Sequence, residues 1–182
     1  MKEELLKEEV ALMDKVTAEL HGSVLTVNGP KGQVSKEFLH RMVRISVEKN
    51  KIVITAPQAT KREKTMVGSF YSHIKNMVQG VVEPYVYKLQ ICSGHFPMSV
   101  SVSGDELIIK NFLGEVVPRK VALPKGAEVK VTGTEITVTS PDKEIAGQTA
   151  AKIESLCRIT NRDRRVFQDG CYITQKAGNN LV

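Results

Sequence analysis

The chain has no tryptophan, only 5% aromatic residues and just three cysteines in 182 residues. Cys92, Cys157 and Cys171 are odd in number and form no C-x-x-C pair, which argues against a disulfide framework and for reduced thiols. Cys92-Ser93-Gly94-His95 has the C-x-x-H spacing of half a zinc site, but no second half of comparable spacing occurs, so neither a metal nor a cofactor is expected. No run of about 18 apolar residues exists to span a membrane. Met1 to Glu9 is charged throughout and lacks the apolar core of a signal peptide, which points to the cytoplasm. The signatures of catalysis are missing too. His21, His40, His73 and His95 show no spacing that pairs a base with a nucleophile, and no serine sits in a G-x-S-x-G elbow. Gly29-Pro30-Lys31-Gly32 departs from the phosphate-cradling G-x-x-x-x-G-K-[ST] loop and reads as a tight turn. No catalytic residue is assigned, and the chain does not read as an enzyme.

Positive charge is what the chain does have. Twenty-six Lys and Arg against twenty Asp and Glu leave a net charge of +6. A sequence pI of about 9.2 accordingly favours a polyanionic partner. The densest cluster lies near the C-terminus, where residues 157–182 hold Arg158, Arg162, Arg164, Arg165 and Lys176 against Asp163 and Asp169, with Phe167 and Tyr172 close by. Guanidinium groups bind phosphate bidentately and stack on bases, so the cluster suits folded RNA. Lys61, Arg62 and Lys64 precede one helical pattern, and Lys143 occupies the matching place before another.

A weak internal duplication organises the rest. Asn50 to Pro57 reads like Thr134 to Pro141, each an alternating β-branched run stopped by a small residue and proline. A helical pattern follows each proline. The first, Lys64 to Val78, carries Val67, Phe70, Ile74 and Met77 on one face; the second, Glu144 to Leu156, carries Ile145, Thr149, Ile153 and Leu156. Upstream, Ser23 to Gly32 aligns with Asp105 to Gly114, and Arg44 to Val47 with Glu128 to Val131. The expected fold is α+β, with two tandem duplicated small domains, each an antiparallel sheet packed against one helix. The boundaries read as an N-terminal extension over 1–15, a first repeat over 16–82, a second with its basic segment over 83–176, and a flexible tail over 177–182. Leu6, Val10 and Met13 would share one side of a helix within residues 1–15.

The chain resembles the large-subunit ribosomal proteins of universal family six, in their archaeal and eukaryotic-type branch. The motifs that carry the resemblance run in order from Val27-Asn28-Gly29-Pro30-Lys31-Gly32, through Gly80 to Leu89 and His95-Phe96-Pro97-Met98, to Ile109 to Glu115. They continue with Asp142-Lys143-Glu144, Gly147 to Ala151, and Asn161 to Gly170. The resemblance implies a structural protein that binds large-subunit ribosomal RNA near the sarcin–ricin loop and the base of the factor-recruiting stalk. Its partners would be that RNA and neighbouring ribosomal proteins, with one copy per ribosome and no membrane. The RNA-facing residues it implies are Lys143, Arg158, Arg162, Arg164, Arg165 and Lys176, with His95 and Lys110 from the central motifs. The competing reading is a protein-interaction scaffold whose basic residues only maintain solubility.

Overall fold

The computed structural model describes residues 3–94 and 96–181 and divides into two compact units, Met1–Pro84 and Tyr85–Val182. Among the described residues no helix is long and apolar enough to cross a membrane.

In the first unit, β1 (Glu3–Ala11) is followed by β2 (Thr17–His21), β3 (Val24–Gly29), β4 (Gly32–Glu37), β5 (Arg44–Glu48), β6 (Lys51–Ala59) and α1 (Lys61–Gly80). The strands form two antiparallel sheets, ordered β1-β6-β5 and β2-β3-β4. Centrally placed β6 buries Ile52, Val53, Ile54 and Ala56, and α1 lays Val67, Phe70, Ile74 and Met77 onto the core, the face expected from their spacing. Phe38 meets Phe70 edge-on, with ring centroids 5.0 Å apart. The helix starts where Thr60 and Glu63 form a capping box, the Glu63 carboxylate accepting the Thr60 N–H at 2.9 Å.

The helix expected within residues 1–15 is replaced by a strand. β1 pairs antiparallel with β6, Leu6 opposite Ala56 and Val10 opposite Ile52. Leu6 and Val10 are four residues apart, a spacing that shares one face in a helix and in a strand alike. Pairing along an open edge of β6 decides for the strand. The same partner carries β6 past its expected stop, for Pro57 sits within the strand opposite Leu5. Its counterpart in the second unit does end one residue before Pro141.

The second unit repeats the plan. β7 (Tyr85–Cys92), β8 (Ser99–Ser103), β9 (Glu106–Lys110), β10 (Arg119–Ala122), β11 (Glu128–Thr132), β12 (Glu135–Ser140) and α2 (Lys143–Leu156) follow in order. β8, β9 and β10 form one sheet as β2, β3 and β4 do, and β7 pairs with β12 as β1 pairs with β6. The residues left as an extension are therefore the counterpart of β7. The second unit then adds β13 (Gly170–Lys176) on the other side of β7, and β14 (Asn179–Asn180), giving the order β11-β12-β7-β13-β14. Among the described residues each unit thus holds two antiparallel sheets and one α-helix, the second with a 3-10 turn at Phe112–Gly114 besides.

α2 begins with Asp142 accepting the Glu144 N–H at 2.8 Å, and it buries Ala146, Thr149, Ala150 and Ile153. Ile145 and Leu156 of the expected stripe are only half-buried. Small residues set this face because the helix lies close on β7; a Cβ on Gly147 would stand 3.2 Å from the Tyr87 hydroxyl. The flexible tail expected over 177–182 is instead a hairpin as far as the described residues extend. Ala177 and Gly178 lie at φ 48° and 86°, the left-handed pair a two-residue hairpin loop uses. Lys176 pairs with Asn179, and the Leu181 N–H donates to Thr174 O at 2.8 Å.

The Asn28 to Gly32 turn packs on the end of α1. Lys31 N–H donates to Val81 O at 2.9 Å, and a Cβ on Gly29 would stand 2.7 Å from Val81 Cγ2 and 2.8 Å from its carbonyl oxygen. Gly29→Ala should therefore destabilise the protein by about 1–3 kcal/mol, as overpacking does. Gly68→Ala, on the exposed face of α1 with nothing within 4 Å, should instead stabilise by up to about 1 kcal/mol. Urea unfolding of the two variants measures both; equal effects would contradict the close packing at Val81.

Candidate nucleic-acid interface

The polypeptide leaves α2 at Leu156, runs without regular structure through residues 158–169 and returns as β13. Its apex is a turn built by Asp163. The Asp163 carbonyl accepts the N–H groups of Val166 (3.1 Å) and Phe167 (2.9 Å), while Oδ1 accepts the Arg165 N–H at 2.9 Å. The same carboxylate takes the Arg165 guanidinium at 2.8 Å through Nη2 and at 3.1 Å through Nε. Those side-chain bonds hold the Asp163 carboxyl below its usual range and raise Arg165. Arg162 lies over the Phe167 ring, its guanidinium carbon 4.9 Å from the centroid. Arg158, Arg162, Arg164 and Arg165 are all exposed.

Three supports hold this segment from beneath. Asp169, only 1% exposed, accepts the Gly94 N–H at 2.6 Å and the Phe96 N–H at 3.4 Å, tying the segment's end to the connection after β7. Arg119 of β10 reaches the end of α2, donating to Leu156 O at 2.7 Å and Arg158 O at 3.3 Å. Its guanidinium also grips Glu115 at 2.6 and 2.8 Å and lies 4.2 Å from the Phe112 centroid. Hydrogen bonding from Arg119 accordingly holds the Glu115 carboxyl down. Finally, the buried thiols Cys157 and Cys171 meet at the base; hydrogen bonding to Cys157, then burial, pushes the Cys171 thiol up. Among the described residues no group of three or more His, Cys, Asp or Glu could hold a metal ion.

The structure gathers four of the eight residues implied by the resemblance, Arg158, Arg162, Arg164 and Arg165, on one segment. It does not bring Lys143 or Lys176 to them. Lys143 opens α2, its ammonium 5.5 Å from the Tyr85 centroid. Lys176 closes β13, near the same end of β7, where Gly178 N–H donates to Val86 O at 3.2 Å. Lys110 ends β9 in the other sheet, opposite Ser99. His95 lies outside the described residues. Arg119 and Asp169 are the functional supports that sequence reasoning missed. Arg119 lies outside the basic cluster of the sequence, and its carbonyl partners are 37 and 39 residues away. Asp169 read as one acid in a basic run, and only its burial marks it.

These features define a duplicated α+β protein whose second copy presents a braced, arginine-bearing loop. The chain belongs to the ribosomal protein L6 family, whose model matches residues 12–83 in the first unit and 96–170 in the second. It is 42% identical over 186 aligned residues to large ribosomal subunit protein uL6 of Nanoarchaeum equitans, covering 98% of this chain and 97% of that one. The uL6 proteins of Haloquadratum walsbyi (42%, covering 92% and 94%) and Methanococcus vannielii (41%, covering 97% and 97%) are similar to it as well. Family membership makes it a structural ribosomal protein and not an enzyme.

The depressed Asp163 carboxyl sets a pH dependence for the turn. A carboxyl lowered in the folded state contributes order above its unfolded value of about 3.9 and loses it as pH falls through the folded value. The Arg165 Nε–H resonance should therefore hold its position from neutral pH to about pH 4 and move below that, where the carboxylate protonates. Asp163→Asn should abolish the titration. Movement centred at or above pH 4 would contradict the ion pair.

Proposed function

We propose that the chain is a component of the large ribosomal subunit that binds large-subunit ribosomal RNA through the segment between α2 and β13. The observation that carries this reading is the state of its arginines. Among the described residues Arg158, Arg162 and Arg164 have no carboxylate within ion-pair reach, whereas Arg165 and Arg119 do. Exposed, uncompensated guanidiniums on a braced loop bind phosphate without first breaking an ion pair, and they lose little order on binding. Arg165, Lys143, Lys176 and Lys110 would add longer-range attraction, and His95 belongs to the same proposal by resemblance alone.

The family resemblance supports a location near the sarcin–ricin loop and the base of the factor-binding stalk, with one copy beside other large-subunit proteins. There the protein would support subunit assembly and translation in the cytoplasm. The test is binding of the purified chain to a large-subunit RNA fragment containing the sarcin–ricin region, over a salt series. Affinity should fall linearly in log–log form, with a slope of about 0.7–0.9 per phosphate neutralised. Arg162→Ala with Arg164→Ala should reduce that slope by about 1–2 and weaken binding at low salt. Affinity indifferent to salt, or to the double substitution, would refute the assignment.

A further inference from the structure

We propose that the groove between the end of α2 and the start of β13 holds a single unstacked nucleotide of the bound RNA, its base against Tyr172 and its phosphate between Arg158 and Arg164. The proposal rests on the RNA-binding reading and adds a nucleotide site to it. Arg158, Arg164, Tyr172, Ser155 and Glu154 line a groove of about 480 Å³. That volume falls within the roughly 300–1,000 Å³ of small-molecule sites, room for a nucleotide and far too little for a helix. Single-stranded or extruded bases are what proteins read in RNA, through aromatic stacking and polar contact with base edges.

The lining has the chemistry in the right parts. Tyr172 is a third exposed and already fixed, because its hydroxyl donates to Gln168 O at 3.1 Å and its ring lies against Gly170. A Cβ on Gly170 would come 3.3 Å from that ring, so the absence of a side chain leaves the aromatic its place there. A ring held in one place loses no rotamer freedom on stacking. Arg158 and Arg164 supply two guanidiniums without carboxylate partners among the described residues. Glu154 is the acidic member of the lining. One of its oxygens accepts the Ile173 N–H at 3.2 Å, which fixes the carboxylate as an acceptor for the amino edge of a base. The end of α2 would by itself repel a phosphate, since helix C-termini carry partial negative charge. Arg119 removes that obstacle by occupying the carbonyl oxygens of Leu156 and Arg158.

The experiment compares two synthetic RNAs, a fully paired duplex and the same duplex with one bulged nucleotide, each at low and moderate salt. The bulged RNA should bind about tenfold tighter, as stacking of one base allows. Tyr172→Leu should erase that preference while leaving duplex affinity unchanged, and Tyr172→Phe should keep it. Arg162→Ala, outside the groove, should weaken both RNAs equally. Circular dichroism and thermal unfolding identify a misfolded Tyr172→Leu, and the strand-favouring Tyr172→Ile then serves in its place, with loss of the preference again expected. Equal binding of the two RNAs, or an equal loss on both with a folded groove variant, would overturn the nucleotide site and leave the general RNA reading standing. Salt-independent or absent binding of both RNAs would overturn the two readings together.

Discussion

The pairing of β13 with β7 is the constraint on which the second unit depends. β7 alternates strictly, burying Tyr85, Tyr87, Leu89 and Ile91, and it is paired on one side by β12. In the first unit the equivalent strand, β1, pairs among the described residues only with β6. Filling the second edge of β7 obliges the chain to leave α2, cross to Cys92 and turn back along the sheet, with Gly170 opposite Cys92 and Cys171 opposite Ile91. Residues 158–169 are that crossing. Because Cys157 and Cys171 touch at its base, it departs from and returns to the same place, a closed surface loop of the kind that carries function. Among the described residues the first unit has no strand after its helix, and so no such loop. The basic segment is a consequence of sheet completion, not an appendage.

What the loop presents is decided by its supports. A loop of this length gains order only where something fixes its backbone. Asp163 closes the apex through backbone acceptors, Asp169 pins the far end to Gly94 and Phe96, and Arg119 caps the near end. Two arginines are consumed in the process. Arg165 is folded onto Asp163 and Arg119 onto Glu115, which leaves Arg158, Arg162 and Arg164 to face outward. Arg162 is steered without being neutralised, since an aromatic face attracts the cation but leaves its N–H groups to other acceptors. Five arginines thus sort by partner, two held by carboxylates and three without one among the described residues.

That sorting also marks the limit of what could be read from the sequence. The duplication was legible because it is written in local pattern. The matches of Ser23 to Gly32 with Asp105 to Gly114, and of Asn50 to Pro57 with Thr134 to Pro141, fall on β3 with β9 and β6 with β12. The face of α1 was legible because its buried residues are large. α2 was read a little out of phase because its contact face is built from Ala146 and Ala150, which weigh lightly in a hydrophobic pattern. The helix expected at β1 fails because Leu6 and Val10 satisfy both periods, and only a partner some 45 residues away separates them. The tail's hairpin needed the positive φ of Ala177 as well as Gly178, and alanine gives no warning of that. Of the candidate interface, the arginines were visible as composition and their availability was not. Asp169 and Arg119 act through backbone atoms 37 to 75 residues away.

The remaining basic residues bear on the shape of the RNA that could use them all. Lys143 stands over Tyr85 and Lys176 lies near Val86, whereas the arginine segment is tied to Cys92 and Gly94. The two groups occupy opposite ends of β7, an eight-residue strand. At about 3.3 Å per residue that strand is some 23 Å long, well beyond the span of one phosphate. No single phosphate or nucleotide can engage both groups. An RNA that neutralised Lys143 and Lys176 as well as Arg158, Arg162 and Arg164 would have to extend alongside the sheet for its whole length. An RNA end or loop met only at the apex would leave the two lysines in water. The salt dependence of binding separates these geometries, because each phosphate neutralised adds its own increment to the slope. A slope satisfied by the arginines alone would confine the interface to the loop that β13 creates.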